Sequence, residues 1–237
     1  MTKFTKIGII GAGSMGGNMS LLFAEHDLHV SLYDKKTKSV DAVIEMANEN
    51  AQTRDKVTGS KDYKTFMNSL NNYKEQPRLV IFSINHGHPA DEVLDSIRQY
   101  LNDGDIILDG GNEWYLDTER RQKEMDEIGV HFIGMGVSGG YQSARRGASL
   151  SPGGNKKVLD EIILPFLRTV CAKSEKGGEC VTNVGPAGAG HYVKMIHNGI
   201  EQGMISVVCE VWGILHALLG FSEDDIGQIF TSWSQND

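Results

Sequence analysis

Apolar residues follow two spacings along this chain. Short apolar runs at residues 6–10, 28–33, 78–83, 105–108 and 130–134 are bounded by Gly, Asp, Asn or Ser and read as buried strands. Residues 38–50, 63–71 and 91–101 repeat apolar positions every three or four residues and read as helices, as does the stretch through Met19, Leu22 and Phe23. Such alternation predicts an α/β fold with a doubly wound, mainly parallel sheet. Further on, residues 156–167 predict a helix and residues 180–184 a short strand. Residues 190–219 predict a long helix stopped by Gly220, and Ser222 caps a last helix over residues 223–233. The α/β domain is expected over residues 1–187. Residues 188–237 would hold the long helix and the start of an all-helical second domain.

The long helix is the least ordinary stretch. Lys194, His197, Asn198 and Glu201 fall at i, i+3, i+4 and i+7 and share one face. Val193, Met195, Ile196, Ile200, Met204, Ile205, Val207 and Val208 surround them, so the helix reads as mostly buried with one polar stripe. Each polar residue alone fits a solvated face or a structural ion pair. Four groups that donate, accept and exchange protons on one otherwise apolar helix raise the catalytic alternative, because burying Lys and Glu is costly without a reason. The neighbouring motifs have to decide.

Directly after the first strand comes Gly11-Ala12-Gly13-Ser14-Met15-Gly16, and a helix follows. In G-x-G-x-x-G the first glycine makes the tight turn, the second admits a pyrophosphate to the backbone, and the third lets helix and strand pack closely. The second strand ends in Asp34, an acid placed to accept from the ribose hydroxyls of NAD and to repel the 2′-phosphate of NADP. Lys35 and Lys36 follow and could neutralise that phosphate, so NAD is favoured and NADP stays open. The unit is therefore read as Rossmann-type and dinucleotide-binding. The coenzyme set is Gly11, Gly13, Ser14, Met15, Gly16, Asp34 and Lys35, with Ser83, Asn85 and Asn112 on loops at the carboxyl edge of the sheet. His86 and His88 lack nearby carboxylate or Cys ligands, so no metal site is expected. Residues 137–154 read as a loop with five glycines and several serines, suited to close backbone approach by a polyol or carboxylate.

Composition narrows the classes. A net charge of -8 over 237 residues argues against a nucleic-acid surface without excluding a local basic pocket. Cys171, Cys180 and Cys209 have no paired spacing and no secretory leader precedes them, which disfavours disulfides and fits a cytoplasmic protein. No segment reads as a membrane span.

Four motifs together resemble one family: Gly11 to Gly16, Asp109-Gly110-Gly111-Asn112, Gly136-Val137-Ser138-Gly139-Gly140 with Ser149-Leu150-Ser151-Pro152-Gly153-Gly154, and the helix from Lys194 to Glu201. The chain is similar to the decarboxylating 6-phosphogluconate dehydrogenases, NADP enzymes of the pentose phosphate pathway. The resemblance implies a sugar acid phosphate as substrate. It makes Lys194 the base and then the acid at the substrate's C3 oxygen, and Glu201 the acid that protonates C1 of the resulting enediol to give ribulose 5-phosphate, with Asn198 beside them. Asn112, Ser138, Gly139, Gly140 and His197 would hold substrate or the nicotinamide end. Gln202 stands where the family usually has Tyr, and Asp34-Lys35-Lys36 where it usually has Asn-Arg-Thr. The family's long helical domain, of which only the start is here, carries basic residues for the substrate phosphate and most of a homodimer interface. Coenzyme binding with weak or absent turnover is therefore expected of this chain. Two other readings stay open: a dehydrogenase for another 3-hydroxy acid, and a nucleotide-binding module without catalysis.

Overall fold

The structure, a computed structural model, describes residues 4–71 and 77–235. The chain divides into two compact units, Met1–Met195 and Ile196–Asp237. In the first, a seven-stranded sheet has the order β3-β2-β1-β4-β5-β6-β7. Its strands are β1 (Lys6–Ile10), β2 (His29–Tyr33), β3 (Val57–Gly59), β4 (Leu79–Phe82), β5 (Ile106–Asp109), β6 (His131–Ser138) and β7 (Ser149–Gly153). All neighbours run parallel except β7, which lies antiparallel on β6. The strand order reverses between β1 and β4, the point at which sheets of this kind bind ligands at the carboxyl ends of their strands.

Both faces of the sheet are covered. Ile7, Ile9, Leu79, Ile81, Ile106 and Leu108 join one apolar cluster, whereas Ile10, Val80, Phe82 and Ile107 join the other. Alternate residues of one strand thus feed opposite layers, which explains why these strands read as unbroken apolar runs. Helices α1 (Ser14–Glu25), α2 (Thr37–Glu49), α3 (Tyr63–Ser69), α4 (His88–Ile97) and α5 (Tyr115–Asp126) make the crossovers. After β6 come α6 (Gly140–Arg146), α7 (Lys156–Val158) and α8 (Leu164–Val170), the last two joined through a π-helical stretch, Leu159–Ile163.

Two expectations need correction, and one strand was missed. Residues 137–154 are not one loop: β6 runs on to Ser138, α6 follows, and residues 149–153 return as β7. Glycine and serine there hid the strand because they carry no periodic apolar signal. Residues 180–184 form no strand; only isolated bridges, Leu150↔Val181 and Lys173↔Glu179, tie that region. The short β3 went unread because three residues paired on one edge of β2 are too few to show a period.

The glycines of β6 and β7 serve a helix. Gly134 and Gly136 lie two apart on β6, hence on one face, and they pair with Gly153 and Ser151 of β7. The start of α9 (Ala189–Gly213) crosses that stripped face at backbone contact distance. A methyl on Gly153 would overlap Gly190 N, and one on Gly190 would overlap Gly134 O. A methyl on Gly134 would lie 2.9 Å from His191 Nδ1, and one on Gly136 would lie 2.8 Å from Lys194 Cβ. The small residues assigned to ligand approach are spent, at these positions, on helix docking.

The expected burial of the long helix fails. Only Gly190 and His191 of α9 are buried, Lys194 is half-buried, and Ile200, Met204, Val207 and Val208 are exposed. Apolar composition was taken for burial, but among the described residues nothing covers that surface. In the second unit α9 continues through a π-helical stretch, Ile214–Leu218, to Gly220, whose φ of 72° stops it. Ser222 then caps α10 (Glu223–Ser234), as the sequence predicts, and Asp225 completes a capping box. No helix among the described residues is long and apolar enough to cross a membrane.

Two buried titratable groups hold α9 to the end of β5. His191 sits 2.9 Å from the backbone oxygen of Asp109 and 2.6 Å from Thr118 Oγ1, and burial pushes its pKa down to about 4. Asp109 is fully buried; Oδ1 accepts from Gly111 N–H while Oδ2 has no partner, and burial pushes its carboxyl up to about 6. The two shifts act in opposite directions. His191 binds a proton more readily unfolded, so its contribution is lost as pH falls from about 6.5 to about 4. Asp109 binds one more readily folded, so its contribution is lost as pH rises from about 4 to about 6. Each is worth roughly 3 kcal/mol, and they nearly cancel in the same window. Asp109→Asn should therefore uncover the His191 slope: urea unfolding of the variant should lose roughly 3 kcal/mol more than wild type between pH 6.5 and 4. Equal slopes for the two proteins would refute the assignment.

Candidate functional site

The crevice is built from the residues that follow successive strands. After β1, Gly11 has a φ of 108°, and any side chain there would overlap the Ser83 carbonyl oxygen. A methyl on Gly16 would overlap Gly11 O, so both glycines are needed for β1, α1 and the end of β4 to meet. Gly13 is different: nothing lies within 4 Å of where its Cβ would be. It is the N-cap of α1 and offers no side-chain cap, leaving the helix's first N–H groups toward open space. An open glycine at an uncapped helix N-terminus, with Ser14 exposed and Met15 half-buried beside it, fits a dinucleotide pyrophosphate.

Asp34, just past β2, accepts from Ala12 N–H and from Lys36 N–H, both at 2.7 Å. Its carboxylate thus ties the Gly-rich turn to the neighbouring strand end, where a ribose would meet it. Of the two lysines that could neutralise a 2′-phosphate, Lys35 is engaged elsewhere: its Nζ lies 2.7 Å from Glu92 Oε2 on α4. That pair is well exposed, so it directs the lysine more than it stabilises the fold.

Beyond β4 and β5 the loops are held by a residue the sequence reading missed. Arg121 of α5 is fully buried, ion-paired to Glu113 at 3.0 Å and to Asp91 at 2.8 Å, and donates to Gly87 O at 2.9 Å. Glu113 in turn accepts from Gly87 N–H at 3.0 Å. One guanidinium therefore joins the loop carrying Ser83 and Asn85 to the loop carrying Asn112. Hydrogen bonds from Arg121 and Arg120 hold the Asp91 carboxyl down to about 2, so it stays ionised at any physiological pH. Arg121 escaped notice because it sits among surface-type charges, Glu119, Arg120, Lys123 and Glu124, and α5 was not delineated. Within this frame Ser83 is half-buried, while Asn85 and Asn112 are exposed toward the crevice edge. Among the described residues no group of three His, Cys, Asp or Glu is arranged for a metal ion.

At the end of β6, Gly139 and Gly140 take φ values of 116° and 67°, and Gly139 begins α6. Lys194 Nζ donates to Ser138 Oγ at 3.1 Å, which brings the expected base to the expected substrate loop. The remaining stripe residues lie in the second unit. His197 Nδ1 is 3.3 Å from Asn198 Oδ1 and 3.7 Å from Glu201 Oε2, and the Glu201 side chain is 54% exposed. Among the described residues nothing buries this acidic end of the stripe.

Comparison with known proteins agrees with this geometry. Residues 6–185 match the family model described as the NAD binding domain of 6-phosphogluconate dehydrogenase, and residues 190–237 match that enzyme's C-terminal domain. The chain is 50% identical to the decarboxylating 6-phosphogluconate dehydrogenase of Emericella nidulans over 93% of its own length and 44% of the relative's. It is 38% identical to the NADP(+)-dependent decarboxylating enzyme of Bacillus subtilis, over 98% of the chain and 47% of the relative. The solved 6-phosphogluconate dehydrogenase of Plasmodium falciparum, whose structures include complexes with NADP+ and with 6-phosphogluconate, is 36% identical. It superimposes with a TM-score of 0.86 over 98% of this chain and 48% of that one. The chain spans just under half the length of these relatives. With two consecutive family matches covering nearly all of it, the chain belongs to the 6-phosphogluconate dehydrogenase family.

Proposed function

We propose that this chain binds a nicotinamide dinucleotide in the crevice between β1 and β4 and contributes the proton-transfer groups for oxidative decarboxylation of 6-phosphogluconate to ribulose 5-phosphate. The observation that carries the proposal is the Lys194 amine, 3.1 Å from Ser138 Oγ at the carboxyl end of β6. Gly13 and the N-terminus of α1 receive the pyrophosphate over the turn that Gly11 and Gly16 allow, Asp34 takes the ribose, and the loops with Ser83, Asn85 and Asn112 line the nicotinamide end. When bound, the coenzyme supplies the hydride acceptor.

Ser138, Gly139 and Gly140 hold the substrate's polar groups through a hydroxyl and exposed backbone N–H groups. Lys194 takes the proton from the C3 hydroxyl as that carbon is oxidised, then returns it to the C3 oxygen as the C1–C2 bond breaks and carbon dioxide leaves. Glu201 gives a proton to the enediol carbon that was the substrate's C2 and becomes C1 of ribulose 5-phosphate, and Asn198 and His197 orient the groups between them. Two helical turns separate Lys194 from Glu201, a spacing that lets them serve different carbons of one extended substrate.

Lys194→Met should lower carbon dioxide release from 6-phosphogluconate by about 10²–10⁴-fold, the usual loss on removing a general acid–base group, with coenzyme affinity unchanged. Turnover equal to wild type would refute the role of Lys194.

Coenzyme choice has its own test. Asp34 presents a carboxylate where a 2′-phosphate would lie, and Lys35 is drawn to Glu92, so NAD is preferred. Asp34→Asn keeps an acceptor for Ala12 N–H while removing the charge, and NADPH affinity should rise on the order of tenfold, about 1.4 kcal/mol, with little change for NADH. No gain for NADPH in a fluorescence titration would show that Asp34 does not discriminate.

A further inference from the structure

The proposed reaction leaves His191 without a role, although it is the most enclosed polar residue on the helix that carries Lys194. It is 1% exposed and both ring nitrogens are bonded. A backbone carbonyl can only accept, so Nε2 carries the proton toward Asp109 O, and Nδ1, left as an acceptor, receives the Thr118 hydroxyl. The tautomer is therefore fixed by its partners on two other elements, the end of β5 and α5.

Position gives this bond chain its meaning. Asp109 opens the turn that leads through Gly110 and Gly111 to Asn112, and its own carboxylate accepts from Gly111 N–H. His191 and Lys194 are three residues apart, on the same side of α9, above Gly134 and Gly136 of β6. The imidazole fits only because residue 134 has no side chain, as noted for its Nδ1. We infer that His191 is a positioning residue for Lys194: through Asp109 and Thr118 it sets the height and rotation of the first turns of α9 against the Asp109–Asn112 turn. The proton-transfer amine and the asparagine loop are thereby held in one frame. This assignment rests on the reading of Lys194 given above.

The test uses the whole chain and needs no turnover, so it fails or succeeds separately from the Lys194→Met assay. Lysines are reductively methylated with carbon-13, and the Lys194 resonance is assigned by its loss in Lys194→Arg. In wild type that resonance should stand apart from those of exposed lysines. His191→Phe keeps a ring but removes both hydrogen bonds, and the Lys194 signal should collapse into the exposed-lysine envelope while coenzyme affinity changes by less than about twofold. His191→Gln restores a donor near the Nε2 position, and the separate signal should return. Thr118→Val removes one hydroxyl at nearly constant volume and should move the signal part of the way; it decides the matter if His191→Phe fails to fold. A Lys194 signal unmoved in folded His191→Phe or in Thr118→Val would overturn the inference, as would His191→Gln behaving like His191→Phe.

Discussion

A helix lying directly on strand backbone is the interaction on which the rest of the first unit depends. Glycine in a strand interior is unfavourable by roughly 0.5–1 kcal/mol relative to alanine, and β6 and β7 place three of them, Gly134, Gly136 and Gly153, on one patch. The cost is offset by contact, because with no side chains between them α9 and the sheet touch atom to atom, where dispersion is strongest. Such a contact leaves almost no freedom to slide. It fixes which residues of α9 stand above which residues of β6, and so delivers Lys194 to Ser138.

The same economy appears in the buried polar groups. Arg121, Glu113, Asp109, Thr118 and His191 have no individual claim to chemistry, yet each bonds a backbone atom or side chain of a loop that borders the crevice or of the helix that crosses it, and Asp91 holds Arg121. Buried charges contribute little net stability when paired, but they fix geometry. Here they join the loops after β4 and β5 to each other and to α9. The crevice edge is consequently one connected set of contacts rather than several independent loops.

Much of this was legible in the residues, for identifiable reasons. Strands with both faces covered read as apolar runs, the Gly-rich turn has fixed spacing, and Asp34 falls where the second strand must end. Ser222 as a cap and Gly220 as a stop were equally readable because capping is local. What was not legible is what depends on distant partners. The glycines near Ser138 and Ser151 signalled close approach, but the sequence could not say that the approaching body was α9 rather than a ligand. Arg121 looked like one more surface charge until α5 turned it inward. The apolar residues beyond Met195 suggested a buried helix, and Ile200, Met204 and Val207 are instead exposed, because pattern reports the wish for a partner and not its presence.

The claim that bare backbone contact seats α9 is tested most directly by comparing the unfolding free energies of Gly153→Ala and Gly13→Ala in urea. The first puts a methyl against Gly190 N and close to Ala189; the second puts the same methyl into open space. Gly153→Ala should lose about 1–3 kcal/mol through overpacking, while Gly13→Ala should match wild type or exceed it by about 0.4–1 kcal/mol. If the two variants prove equally stable, α9 is not seated on the sheet in the way described.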